Sequence, residues 1–244
     1  MPTDPMSADP DLMLRPAVAD DVPLLVQVMR AAREAAPMPD LPYADREVGA
    51  HLAARLSMDE TWVADDGDGP VGFARLTGTW LDDLYVVPEA QRSGVGSSLL
   101  DLAKALRPDG FGLWVFSSNV PARAFYARHG LLELESTDGR ANDEGAPDLR
   151  MVWAGEQPLS YLRAQIDEVD DELAALLARR TALTAAVQEI KPVGGPAGRD
   201  PEREQQIAER IAPMVPLLPP EAVQRIVHTI IEASLDAAAT PGRD

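Results

Sequence analysis

The chain has 244 residues, a length that suits two small domains, and carries 22 Lys+Arg against 40 Asp+Glu for a formal charge of −18. The absence of cysteine excludes disulfides, thiolate zinc sites and thiol nucleophiles together, and the acidic balance argues against a nucleic-acid partner, which needs basic residues clustered on one face. His51, His129 and His228 show no ligand spacing, the opening MPTDPMSADPD has no basic or apolar region, and no apolar run approaches the ~18 residues of a membrane span, so the expectation is a cytoplasmic protein with no metal and no membrane association.

Usage shifts along the chain. Eleven of the twelve Phe, Trp and Tyr residues precede Ala154, and only Tyr161 follows it. Up to Trp153 the pattern mixes β-like runs with helices, and beyond the short GEQP connection at 155–158 it reads as helix. A boundary there gives one domain over 12–154 and a second over 159–238, with the tail from Ala237 expected to fray. From residue 159 onward 9 Lys+Arg face 14 Asp+Glu, a net of −5 that leaves −13 for the first 158 residues, so any basic cluster in the second half stands against its background.

In the first half, TWVADDGDGPVGFARLTG gives two β-rich segments around a turn at Asp65 to Gly69, the composition of a hairpin. A third strand, WLDDLYVV, ends at Pro88, and EAQRSGVGSSLLDLAKAL then turns from a polar, glycine-containing stretch directly into an apolar-periodic helix. Gly94 and Gly96 allow a close backbone approach, and the exposed N–H groups at the helix start form an anion site suited to a pyrophosphate; a glycine-rich turn that merely caps the helix satisfies the same pattern. About 25 residues later LWVFSSNVPARAFYARHGLLELE presents a strand, Asn119, a short helix carrying Tyr126, a stop at Gly130 and another strand.

At this point the chain resembles the GNAT acetyltransferase family, whose pattern is a strand followed by QxxGxG and, after the next strand, NxxAxxFYxxxGF. Here these are Gln91, Gly94 and Gly96, then Asn119, Ala122, Phe125, Tyr126 and Gly130, with Leu131 in place of the last phenylalanine; LRPAVADDVPLL resembles the family's first strand and helix. The resemblance implies an α/β (α+β) fold with a mixed central sheet, and acetyl-CoA held between two splayed strands. Leu84, Tyr85 and Val86 would pair with the pantetheine, and Arg92, Ser93, Gly94, Val95, Gly96 and Ser97 would hold the pyrophosphate. Asn119 would face the cofactor, and Tyr126 would protonate the leaving thiolate. Asp82 or Asp83 is the candidate base through water, or else solvated surface. The acceptor amine is not written in these motifs: TDGRANDEGAPDLR, residues 137–150, reads either as an acceptor wall that selects a cation or as a solvated loop.

In the second half, LRAQIDEVDDELAALLARRTALTAAVQEIK places apolar side chains at Leu162, Ile166, Val169, Leu173, Leu176, Leu183, Val187 and Ile190, a coiled-coil-like seam whose remaining position is Arg180. A helix from about 160 to 190 would be roughly 45 Å long at ~1.5 Å per residue, too long for the ~80 residues of this domain to cover, so a second copy of the chain is the simplest cover. After the loop PVGGPAGR comes a helix capped by Asp200 with proline at its first position and Glu202 and Glu204 at its positive end, then a last helix with a stripe at Val223, Ile226 or Val227, Ile230 and Ser234. Arg163, Arg180, Lys191 and Arg203 all lie on or beside surfaces that face the interior, although lysine occurs in this chain only at 104 and 191. Core salt bridges account for one such cation, but a set of them calls for an anion supplied from outside, such as a dicarboxylate.

The arrangement over 159–236 resembles the all-helical type II chorismate mutase family: LRxxIxxxD, an arginine seventeen residues after the first, a lysine eleven further on, DxxRE, and a serine in the last helix. The resemblance implies a three-helix fold forming an intertwined dimer that rearranges chorismate to prephenate without a cofactor. Arg180, Ser234 and Arg163 of the partner subunit would grip the carboxylates, and Lys191 would donate to the ether oxygen. Glu204 and Asp200 would hold the ring hydroxyl, oriented by Arg203. One departure stands out: four residues after the serine the family places a glutamine or glutamate as second donor to the ether oxygen, and here the residue is Ala238. Losing such a donor costs ~3 kcal/mol of transition-state stabilisation, which leaves a slow enzyme, another donor, or a related substrate, 4-amino-4-deoxychorismate or isochorismate. The whole chain reads as a fusion of an acyltransferase and a mutase, or as a regulatory protein in which one module only senses its ligand or recruits a partner enzyme.

Overall fold

The structure, a computed structural model, describes residues 12–190 and 199–239. It divides between Arg163 and Ala164 into two compact units.

The first unit is built on a seven-stranded sheet in the order β1-β2-β3-β4-β5-β7-β6, with β1 Met13–Pro16, β2 Glu60–Asp65, β3 Pro70–Thr77, β4 Trp80–Val86, β5 Phe111–Phe116, β6 Leu132–Ser136 and β7 Asp148–Trp153. All neighbours are antiparallel except β4 and β5, which run parallel, so the sheet is mixed. Strand β3 shows how the sheet divides two cores: Phe73 packs with Leu25, Met29 and Leu52 of α1 (Val22–Glu34) and α2 (Asp45–Arg55), while Ala74 and Leu76 pack with Leu99 and Leu100 of α3 (Val95–Leu106). The period-2 alternation of the strand sends successive side chains to opposite faces. Helix α4 (Val120–Arg128) follows β5, and its start is fixed by Asn119, whose side chain accepts from the Ala122 N–H at 3.2 Å. Lys104 of α3 donates to the His129 carbonyl at 2.8 Å and lies over the Trp153 ring, which closes the α3 side of the sheet.

Two irregularities shape the middle of the sheet. Strand β3 pairs Arg75 with Asp83 but Leu76 with Leu81, so Asp82 is an extra residue, a β-bulge that bends β4 and re-aims its side chains. At the other side of β4, Trp80 lies against Gly112 of β5, where an added Cβ would meet the indole at 3.0 Å. Trp80 and Gly112 are the one registered pair between these strands among the described residues.

Helix α5 (Pro158–Ile190) runs across this division, and the second unit holds it from Ala164 onward together with α6 (Pro201–Ile211) and α7 (Pro220–Ala239), the last running past Ala237, where fraying was expected. Asp200 caps α6 by accepting from the Arg203 N–H at 3.0 Å. Of the alternatives on α7, Val223 and Val227 are buried together with Ala208 of α6, and Ile226 is exposed. Helix α5 has no buried residue at all: its seam residues Ile166, Val169, Leu176 and Leu183 are 58–62% exposed. A stripe of this length left in water forfeits the burial that gives most helices their stability. Among the described residues no helix is long and apolar enough to cross a membrane.

The first strand is tied to the unit by charge. Arg15 donates two hydrogen bonds to Asp21, at 2.7 and 2.8 Å, and two to Asp65, at 2.9 and 3.1 Å. Arg15 holds Asp21 below the usual carboxylate range; Asp65 is held down by the Gly67 N–H and then by Arg15. Both folded pKa values are depressed, so this contribution is complete above the unfolded value near ~3.9 and is lost as pH falls through the folded values. Arg15→Met is therefore expected to cost about 2 kcal/mol at pH 7, because two partly buried acids lose their donor, and the deficit should shrink toward pH 2 in urea titrations of the two proteins.

Candidate active sites

Because β4 and β5 are paired at their starts and not at their C-terminal ends, the sheet opens there into a cleft of about 1190 Å³. In β4 the backbone groups of Tyr85 and Val87 face β3, Val87 N–H donating to the Val71 carbonyl at 2.9 Å, so those of Leu84 and Val86 face β5, which is registered with β4 at Trp80↔Gly112 alone among the described residues. Leu84, Tyr85, Val86, Arg92, Gly96, Asn119 and Tyr126 all line this cleft. Gln91 anchors the turn by donating to the Val86 carbonyl at 3.1 Å, and Ser93 donates to the Ala90 carbonyl at 2.7 Å. Gly94 caps α3 with φ +106°, a left-handed conformation that glycine adopts without strain. Val95 turns into the core, and Ser97 Oγ lies 3.1 Å from His129 Nε2. Asn119 reaches the cleft, but its side-chain oxygen is committed to capping α4.

Tyr126 is 8% exposed, and burial, with the nearby Tyr85 and Asp83, pushes its phenol well above its ordinary pKa, so it stays protonated at neutral pH. Burial likewise moves Tyr85 up to about 12. The two candidate bases differ sharply. Asp83 accepts from Arg75 Nε at 2.6 Å and is buried, and desolvation raises its pKa against the pull of that guanidinium. Asp82, on the bulge, is 31% exposed at its side chain and stands 3.7 Å from Arg75, free to meet water in the cleft. Arg75 also donates to Asp59 at 2.8 Å, and one guanidinium thus serves three carboxylates.

The 137–150 segment is not merely a solvated loop. Arg33 Nη2 of α1 donates to Glu144 at 2.9 Å, both side chains being nearly buried, and the Tyr43 hydroxyl donates to Asp143 at 2.7 Å. Arg33, Tyr43, Arg75 and Glu144 line or support the site and were not identified from sequence; their partners lie up to 111 residues away, where no local pattern marks them.

In the second unit, Arg180 Nη1 donates to Ser234 Oγ at 2.5 Å and to the Ile230 carbonyl at 3.2 Å. Ser234 is 4% exposed. No carboxylate pairs with Arg180 among the described residues. Glu204 differs from expectation: Arg199 grips it in a two-pronged pair at 2.9 and 2.7 Å, and His228 Nδ1 stands 3.3 Å away, whereas Arg203 is exposed and meets Asp200 through its backbone N–H. Arg199 and His228 were not singled out in the sequence; their neighbourhood follows from the packing of α6 against α7. Arg163 is exposed, Ala238 is half-buried on α7, and Lys191 lies outside the described residues.

Comparison with known proteins gives two matches in chain order. Residues 57–130 match the family model of the acetyltransferase (GNAT) domain, and residues 162–238 match that of chorismate mutase type II. The chain is 40% identical over 70 residues to the peptidyl-lysine N-acetyltransferase YjaB of Salmonella typhimurium, covering 28% of this chain and 48% of that protein. It is 42% identical over 55 residues to the chorismate mutase of Methanocaldococcus jannaschii, covering 22% of this chain and 56% of that protein. The chain thus spans about half the length of the curated relatives it matches. Among solved structures, the GCN5-related N-acetyltransferase of Rhodopseudomonas palustris superposes with a TM-score of 0.51 at 26% identity, over 63% of this chain and 99% of that one.

The Arg199 hydrogen bonds hold the Glu204 carboxyl below its ordinary range, against an opposing effect of burial and with a smaller contribution from His228. Arg199→Ala should move the Glu204 titration upward toward the usual glutamate value, read by carboxyl carbon NMR. An unmoved midpoint would mean that His228 suffices.

Proposed function

We propose that this chain, which carries a GNAT acetyltransferase domain followed by a type II chorismate mutase domain, is a cytoplasmic bifunctional enzyme that rearranges chorismate to prephenate and transfers acetyl from acetyl-CoA to an amine.

For the mutase, the observation that carries the reading is Arg180: a half-buried guanidinium, bonded to a buried serine and to a carbonyl, with no carboxylate among the described residues. Such a cation is costly unless a ligand neutralises it, and a carboxylate of chorismate does so. Arg180 and Ser234 fix one carboxylate of the substrate and so hold the compact conformer from which the rearrangement proceeds. The exposed seam of α5 supports a homodimer, in which Arg163 of the partner subunit completes the grip. Lys191 donates to the ether oxygen as the C–O bond breaks, and Glu204, oriented by Arg199, receives the ring hydroxyl with Asp200. Ala238 favours a second reading for the substrate, 4-amino-4-deoxychorismate or isochorismate, because it offers no hydrogen-bond donor beside Ser234.

For the acetyltransferase, the divergence of β4 and β5 leaves the backbone groups of Leu84 and the Val86 N–H for the pantetheine amides, the Val86 carbonyl being taken by Gln91, and the turn from Arg92 to Ser97 opens α3 toward a pyrophosphate. The domain bounds that follow are 12–154 and 159–238. Asp82 takes a proton from the acceptor ammonium through water, the amine nitrogen bonds to the thioester carbon as the C–S bond breaks, and Tyr126 delivers a proton to the thiolate.

Purified protein should convert chorismate to prephenate, and Arg180→Ala should lower that rate by at least ~10²-fold while leaving the melting temperature nearly unchanged. Loss of folding in the variant would assign Arg180 to structure instead. Tyr126→Phe should lower kcat for acetyl transfer by ~10²-fold or more with little change in the KM for acetyl-CoA. An unchanged kcat would remove Tyr126 as the acid.

A further inference from the structure

One end of the cleft in the first unit is crossed by two bridges. Arg33 ties the end of α1 to Glu144, and its Nη2 also donates to the Pro39 carbonyl at 3.0 Å, so the segment after α1 is held in place. Tyr43, further along that segment, donates to Asp143. The loop that receives both bonds is itself pinned: Asn142 donates to the Ala146 carbonyl at 2.8 Å and to Asp148 at 3.0 Å. Beneath, the Arg33 guanidinium lies 5.7 Å from the Phe116 ring centre on β5, and its Nη1 is 3.4 Å from the Tyr85 hydroxyl on β4. These contacts make a roof over the ends of the two diverging strands. Arg33 Nε, buried with no hydrogen-bond partner among the described residues, is left to be satisfied by an occupant or by water held with it.

The chamber under this roof is negative. Glu47, Asp82, Asp83, Asp143 and Glu144 line it against Arg33 and Arg75, five acids to two cations at this end, while Arg92 and Arg128 line the cleft beside the α3 turn and the end of α4. His51 also lines it, and Asp59, shared by Arg55 and Arg75, does not. Its floor is aromatic: Trp114, 44% exposed although it lies in the cleft, stacks on Trp80 beside Phe116. Excess carboxylate in a low-dielectric recess, with open aromatic faces, favours a cation over a neutral or anionic molecule.

We propose that this chamber takes a small, free alkyl diamine as the acetyl acceptor, and not a lysine side chain of a protein. A polypeptide presenting lysine must pass its main chain on both sides of the reacting residue, and the two bridges cross that path. A diamine enters whole: one ammonium gives up its proton and is acetylated at the thioester, with C–N formed, C–S broken and the thiolate protonated, while the other stays charged against the acids. The inference rests on the acetyltransferase reading above.

The full chain, given acetyl-CoA, is assayed for thiol release with 1,4-diaminobutane, butylamine, 4-aminobutanoate and a lysine-containing peptide. The diamine is expected to show a kcat/KM about tenfold above butylamine and further above the aminobutanoate, with no acetylation of the peptide. Asp143→Asn should narrow the gap between diamine and butylamine, and Tyr43→Phe combined with Glu144→Gln should admit the peptide. Equal rates for the three small amines, or a preference for the peptide, would overturn the proposal. Calorimetric binding of acetyl-CoA without turnover of the diamine would also overturn it while leaving the acetyltransferase reading intact; absence of acetyl-CoA binding would remove both.

Discussion

The first unit depends on a single point of contact between two strands. Trp80 lies against β5 at residue 112, where an added Cβ would press on the indole at 3.0 Å, and beyond that pairing β4 and β5 separate. Had the ladder continued, the backbone groups of Leu84 and the Val86 N–H, which face β5, would be spent within the sheet. The bulge at Asp82 works with the separation, since it lets Asp83 turn to Arg75 while its neighbour stays accessible. Sheet and cleft thus share one geometric origin.

The second unit rests on the opposite situation, a surface that lacks its complement. Helix α5 shows its apolar stripe to water over most of its length, and the small cluster around Ala208, Val223 and Val227 joins only α6 and α7. Within that stripe Arg180 is turned to Ser234, so the one cation of the seam is partnered by a neutral hydroxyl. The apolar seam and Arg180 therefore share one helix, and a change that alters the seam acts on the cation within it.

Much of this was legible in sequence wherever the signal is local. The 61–78 hairpin, the glycine turn before α3, the Asp200 cap and the long α5 each follow from spacing, turn chemistry or capping within a few residues. The Arg33–Glu144 bridge was not legible, because the two residues meet across 111 positions and neither stands out in its own stretch. The same holds for Arg199 and His228, which reach Glu204 only once α6 and α7 pack. Helix α2 also escaped notice: Asp45–Arg55 buries just Val48 and Leu52, too few apolar positions to form a visible stripe.

The scarcity of lysine acquires a meaning from the first unit. Of 22 basic residues only Lys104 and Lys191 carry a primary amine, and Lys104 is held by the His129 carbonyl and the Trp153 ring. Thioesters acylate free amines spontaneously, but guanidinium groups remain protonated at any physiological pH and do not react. A chain that meets its charge requirements almost wholly with arginine presents few nucleophilic amines to a thioester, and in the proposed reaction its own surface scarcely competes with the acceptor.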